Sequence, residues 1–128
     1  MAKVLLVDGD AERRRAAVEA LGAAQFEVAE APSASVALTT LEWNRPDVIV
    51  SQEDVPELDG YELCSIIRSD PSTKALPFLL LTGPAGPPAG APTRAGVDLV
   101  LGGTFDASDV TNRVQRLVSL GRSPCPRS

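Results

Sequence analysis

Four short apolar runs in this sequence end in residues that could bind a ligand. The residues that follow these runs are Asp8 and Gly9, Gln52, Thr82, and Gly102 and Gly103. A carboxylate can ligate a metal, an amide offers both a donor and an acceptor, and glycine lets a ligand approach the backbone closely. The sequence contains no histidine, and no base is evident for Cys64 or for any serine, so the residues do not support hydrolase chemistry.

The elements that carry these residues alternate between strand and helix patterns. Buried strands are predicted by five apolar runs, Val4 to Val7, Phe26 to Ala31, Val48 to Val50, Phe78 to Leu81 and Leu99 to Leu101. Helical spacing predicts a helix that opens near Asp10, one that follows Ser33, one around Leu63 and Ile67, and a last one capped by Asp106 or Ser108. This alternation predicts a doubly wound, five-stranded parallel sheet of the flavodoxin-like α/β class. Ligands of such sheets bind outside the carboxyl ends of the strands, where the four run ends meet.

The alternation is interrupted between Gly83 and Pro92, where seven of the ten residues are glycine or proline. Neither residue type supports a helix interior. We therefore predict that the fourth helix is degraded to a Gly/Pro-rich loop, with one turn near residues 93–95. A variable surface loop and a functional change are about equally good interpretations of this segment.

Length and charge narrow the class of protein. A chain of 128 residues predicts one domain over 1–120, and the segment 121–128 has the composition of a tail or linker that could lead to an output domain. A net charge of −5 disfavours nucleic acid, and Arg13, Arg14 and Arg15 are interpreted as a solvated helix face. No run suits a signal peptide or membrane span, so a cytoplasmic location is expected. Trp43 is interpreted as partly packed.

The segments Arg45 to Gln52 and Val55 to Gly60 resemble the phosphoacceptor region of the response-regulator receiver family, and the resemblance extends from Lys3 to about Val118. It implies the five-stranded fold and a role in bacterial two-component, phosphorelay signalling. In that family an acidic pair after the first strand and an acceptor Asp after the third hold magnesium. A hydroxyl after the fourth strand and a Lys after the fifth contact the phosphoryl group.

The resemblance also shows what the chain has lost. Asp8 retains the first acid and Thr82 the hydroxyl. The departures are Gly9 for the second acid, Gln52 for the acceptor, Gly103 for the Lys, Thr104 for the Pro that usually follows it, and Val100 for the aromatic switch residue. A carboxamide cannot form an acyl phosphate. Asp8 remains as the single residual metal ligand, so no cofactor is expected and Mg²⁺ binding should be weak or absent.

The resemblance and the losses together predict a non-enzymatic pseudo-receiver that binds a protein partner independently of phosphorylation. We hypothesise that Gln52 locks one conformation through a hydrogen bond to Asp8, Thr82 or the backbone. Two alternatives remain. One is a small-molecule or nucleotide site at the same sheet edge, and the other is phosphorylation at a displaced acid, Glu53 or Asp54. Strand alternation predicts that Glu53 points away from the pocket that Gln52 faces.

Overall fold

The computed structural model describes residues 1–103 and 105–120. Its strands are β1 (Lys3–Val7), β2 (Glu27–Ala31), β3 (Val48–Gln52), β4 (Phe78–Leu81) and β5 (Leu99–Leu101). Its helices are α1 (Ala11–Ala23), α2 (Ala34–Trp43), α3 (Gly60–Ser69), α4 (Ala91–Ala95) and α5 (Ala107–Leu120). Thr104 and the predicted tail over 121–128 lie outside the described residues.

The strands form one parallel sheet in the order β2-β1-β3-β4-β5, which confirms the predicted fold class. The chain reverses its direction of winding between β1 and β3, because β2 lies on one side of β1 and all later strands lie on the other. Side chains from the two faces of the sheet form two separate cores. One packs beneath α2, α3 and α4, and the other beneath α1 and α5. The sheet is thus covered on both faces, as its continuous apolar strands predict.

Short polar side chains start the helices as predicted. The Asp10 carboxylate accepts from the Arg13 backbone N–H, and the Ser33 hydroxyl from that of Val36. Asp106 is the cap of α5, since its carboxylate accepts from the Asp109 N–H at 3.1 Å. Each cap satisfies a backbone donor that a helix start leaves without a partner.

The single turn predicted in the Gly/Pro segment is confirmed as α4, a helix of five residues. It begins at Ala91, two residues earlier than predicted, because Pro92 is in its first turn, where a missing N–H costs nothing. Residues 83–90 contain no helix or strand. Within the described ranges, none of the helices has the length and apolar character that spanning a bilayer requires.

A buried ion pair lies at the amino ends of β4 and β5 and was not predicted from the sequence. Asp98, just before β5, accepts from Arg68 Nη2 at 2.9 Å and from the Phe78 backbone N–H at 2.8 Å. Arg68 lies on α3, so the pair joins α3 to the starts of β4 and β5. Thirty residues separate the two partners, and no local pattern reports a contact over that distance.

Candidate functional site

A cleft of about 780 Å³ opens at the carboxyl ends of β1, β3 and β4. It lies at the point where the winding of the sheet reverses, which is where open α/β sheets bind ligands. The predicted site residues Asp8, Gln52, Thr82 and Gly103 all line it. Arg13, Glu53, Asp54, Phe105 and Asp106 are among the other residues that line the cleft.

Asp8 lies at the bottom of this cleft and is almost fully buried, with 1% of its surface exposed. Arg13, from the first turn of α1, binds the Asp8 carboxylate in a bidentate manner. Nε donates to Oδ2 and Nη2 to Oδ1, each at 2.7 Å. The Asp10 backbone N–H also donates to Oδ1, at 2.9 Å. The carboxylate is therefore paired and hydrogen-bonded, which burial of a charge requires.

The basic run Arg13 to Arg15 is thus not simply a solvated face, and this interpretation was wrong for two of its members. Arg14 Nη1 donates to the Asp8 backbone carbonyl at 2.7 Å, and its Nε to Glu30 at 3.0 Å. The hydrogen bonds from Arg13 to Asp8 raise the pKa of the guanidinium above its ordinary value. Sequence patterns missed this role because the partner, Asp8, lies in the loop between β1 and α1, outside the helical periodicity.

Gln52 stands at the end of β3 beside Leu81 of β4 and is partly exposed to the cleft. Among the described residues its side chain forms no hydrogen bond, so the hypothesised lock to Asp8 or Thr82 is absent there. The Thr82 hydroxyl instead donates to the Gly83 carbonyl at 3.3 Å. Arg13, rather than Gln52, holds the residual acid.

Two glycines beside the cleft, Gly9 and Gly102, do not line it but are closely packed. A Cβ at Gly9 would lie 2.7 Å from Cδ of Pro56, a distance that real Cβ atoms do not tolerate. A Cβ at Gly102 would lie 2.5 Å from the Thr82 hydroxyl oxygen. Gly103 differs, because nothing surrounds its missing Cβ, but its φ of +77° favours glycine. A lysine at this position would have space and a strained backbone.

Val100 is partly buried and packs against the core beneath α2, α3 and α4. Its branched aliphatic side chain has no aromatic ring that could couple to the Thr82 hydroxyl. Trp43 at the end of α2 is 83% exposed, so the interpretation that it is partly packed was wrong. Helical periodicity accounts for this exposure, because Trp43 lies two turns after the exposed Val36 and on the face opposite to the buried Ala34.

Glu53 follows the end of β3 and is among the residues that line the rim of the cleft. Its side chain nevertheless turns toward α3, on the face of the sheet opposite to α1 and α5, as strand alternation predicts. Its carboxylate accepts from the Tyr61 hydroxyl at 2.6 Å. Burial and this carboxylate together raise the pKa of Tyr61 well above its ordinary value.

The Tyr61 contact makes a pH-dependent prediction. Tyr61 is the one tyrosine of the chain, so ultraviolet absorbance reports its ionisation directly. Its midpoint should lie above the usual value of about 10, and Glu53→Gln should lower it because a negative neighbour is removed. Asp54→Asn is the matched control and should leave the midpoint in place. Because the pKa of Tyr61 is raised in the folded state, protonated Tyr61 stabilises the fold fully at pH values below its unfolded-state pKa. This contribution to the free energy of unfolding is lost as the pH rises through the folded-state pKa.

The residues of the cleft do not fit the magnesium ion that the resemblance implies. Of the three expected carboxylates only Asp8 is present, and Arg13 binds both of its oxygens. No cluster of three or more acidic or sulfur ligands suited to a metal occurs in the part of the chain that the structure describes. Magnesium requires near-octahedral oxygen coordination, usually with one or two free carboxylates.

A five-stranded parallel α/β fold with a cleft at the β1/β3 switch point defines the class of protein. The family model "Response regulator receiver domain" matches residues 4–115. The chain belongs to this family, whose members act in two-component signalling and interact with kinases and output domains.

Curated relatives and solved structures agree with this assignment. The chain is 34% identical over 82 residues to the response regulator PleD of Caulobacter vibrioides, covering 63% of this chain and 18% of PleD. It is 38% identical over 82 residues to the transcriptional regulatory protein AfsQ1 of Streptomyces coelicolor, covering 64% of this chain and 35% of AfsQ1. The chain thus spans only a fraction of these relatives.

Among solved structures, the chemotaxis response regulator CheY4 of Vibrio cholerae superposes with a TM-score of 0.84 at 28% identity, covering 91% of this chain and 98% of CheY4. The receiver domain of the sensor histidine kinase PA1611 from Pseudomonas aeruginosa superposes with a TM-score of 0.82 at 22% identity, covering 92% of this chain and 98% of that domain. The PA1611 receiver coordinates a magnesium ion in its active-site cleft.

Proposed function

We propose that this domain is a phosphorylation-independent pseudo-receiver that acts in the cytoplasm as a protein-protein interaction module. The observation that carries the proposal is the state of the cleft. An amide stands at the acceptor position, and the residual acid Asp8 is occupied by Arg13. Phosphoryl transfer depends on positioned charge and metal, and these groups supply neither a nucleophile nor a metal site.

The displaced acids are poor substitutes for the acceptor. The Glu53 carboxylate is engaged by Tyr61. Asp54 is exposed at the rim of the cleft, where no described cation besides Arg13 lines the site. The small-molecule alternative has a cleft of suitable size, but Glu53, Asp54 and Asp106 give its rim a negative charge that repels phosphate groups.

The partner surface is proposed on α2. The receiver resemblance suggests a partner surface formed by the fourth helix, fifth strand and fifth helix, but α4 has only five residues in this domain. In contrast, α2 exposes Trp43 and, one and two turns earlier, Thr39 and Val36. Tryptophan is among the residue types that are enriched in the hot spots of protein interfaces. We propose that a protein partner, or an output domain joined through the segment after residue 120, binds there.

Two measurements test this proposal. After incubation with an acyl-phosphate donor and Mg²⁺, intact mass should show no adduct, and the set of proteins captured from the source cell should not change. Trp43→Ala should weaken capture by about 1 kcal/mol or more in binding free energy, whereas the exposed Glu19→Ala on α1 should leave it unchanged. A phosphorylated adduct on Glu53 or Asp54 would overturn phosphorylation independence. If alanine substitutions on α1, α2, α5 and the Gly/Pro loop all leave capture unchanged, the role is structural.

A further inference from the structure

We infer that the Arg13 guanidinium is the resident counter-ion of the cleft, a built-in cation that binds Asp8 and excludes divalent metal from it. Arg13 is thus a positioning residue. The inference concerns the chemistry at Asp8 and does not depend on which partner the domain binds. It extends the proposed function by naming what replaced the metal.

The geometry around Asp8 leaves little room for a metal ion. Arg13 Nε and Nη2 form two parallel hydrogen bonds of 2.7 Å, one to each carboxylate oxygen. The Asp10 N–H occupies a further lone pair on Oδ1. An ionised carboxylate has about four lone-pair positions, and three of them are in use. A divalent ion would have to displace the guanidinium or share the carboxylate with a like charge.

The first turn of α1 preorganises this arrangement. Asp10 accepts from the Arg13 backbone N–H as the helix cap and donates its own N–H to Asp8. The same residue therefore fixes both the start of the helix and one oxygen of the acid. Arg14 adds a second cation that donates to the Asp8 backbone carbonyl. Arg13 and Arg14 thus approach Asp8 from two sides, and both repel a metal.

The other charges that face Arg13 are Asp10 and Asp54, which raise its pKa together with Asp8. They keep the guanidinium attracted to the cleft although 51% of its side chain is exposed to solvent. Asp8, in contrast, has 2% of its side chain exposed. The buried partner needs the pair more than the exposed one, because an unpaired buried carboxylate has lost its hydration.

Metal affinity in a background with a second carboxylate tests the inference. Gln52→Asp supplies that carboxylate, and Mn²⁺ alone serves as the probe in calorimetry or electron paramagnetic resonance. Adding Arg13→Met should tighten Mn²⁺ binding roughly tenfold or more, since a like charge is removed from contact with the ligand. The control Arg15→Met removes an exposed arginine of the same helix and should change binding little. Equal Mn²⁺ affinity of the Arg13→Met and Arg15→Met variants would overturn the inference.

A second measurement, of folding stability, uses no metal and detects variants that fold poorly. In the wild-type background, Asp8→Asn and Arg13→Met should be non-additive. Each substitution should change the unfolding equilibrium constant of the wild-type domain. In a domain that already carries the other substitution, the same change should be smaller by a factor of roughly three or more. Arg13→Lys keeps the charge but loses the fork, so it should be intermediate in both measurements. Additive effects together with unchanged Mn²⁺ affinity would show Arg13 to be an ordinary surface residue.

Discussion

Replacing Asp98 by alanine should lower the free energy of unfolding by about 3–5 kcal/mol, the usual cost of breaking a buried ion pair by removing one partner. Asp98 has a fully buried side chain, and that of its partner Arg68 is 13% exposed. The substitution leaves the Arg68 charge and the Phe78 backbone N–H without the carboxylate that binds both of them. Equilibrium unfolding in urea, followed by far-ultraviolet circular dichroism, measures the loss. Trp43 is too exposed to serve as the probe.

The expected loss is large because Arg68 connects several segments. Its Nε donates to the Gly96 carbonyl at 2.9 Å and its Nη1 to the Leu76 carbonyl at 2.6 Å. Asp98 orients the guanidinium for these contacts, so its removal weakens the connection between α3 and the starts of β4 and β5. Effects within such a network exceed the sum of isolated contacts.

Glu30→Ala is the matched control. It also removes the acid of an arginine ion pair, Glu30 with Arg14 at 3.0 Å, but the carboxylate is 48% exposed. Exposed pairs contribute about 0–1 kcal/mol, because water replaces the lost contact. If Asp98→Ala and Glu30→Ala destabilise the domain equally, the buried pair does not brace the sheet as we expect.

The second large effect concerns phosphorylation, which we expect the Gln52→Asp substitution not to restore. Gln52→Asp restores the acceptor carboxylate of the family, yet we expect it to form acyl phosphate at least about 10²-fold more slowly than a receiver with the complete set of pocket residues. The missing groups are electrostatic. Asp8 is bound by Arg13, and no acid stands at Gly9 and no ammonium at Gly103.

The measurement is intact mass over time with an acyl-phosphate donor and Mg²⁺, with such a complete receiver as the positive control. Simple restoration at the other two positions should also fail. An acid at Gly9 would contact the Pro56 ring, and a lysine at Gly103 would be held at positive φ. Rapid phosphorylation of Gln52→Asp would mean that the cleft has kept its chemistry and lost only the nucleophile.

The local sequence determined a large part of this protein. Apolar runs of strand length predicted β4 and β5 to the residue, and cap residues placed the starts of α1, α2 and α5. Proline and glycine predicted the short α4. The edge that gathers Asp8, Gln52 and Thr82 followed from the parallel topology alone. These features depend on backbone preferences and on the spacing of apolar and polar residues. Both are determined by residues that are close together in the sequence.

The tertiary structure decided the partners of each charged side chain. The Arg13 fork on Asp8, the Tyr61 contact with Glu53 and the Arg68 pair with Asp98 all join different elements. The fit of Gly9 against Pro56 likewise depends on how the loops pack. A charge pattern along the chain does not state which opposite charge will be nearest in space. From sequence, the amide at Gln52 predicts that the acceptor is absent, but only the folded cleft pairs Asp8 with Arg13.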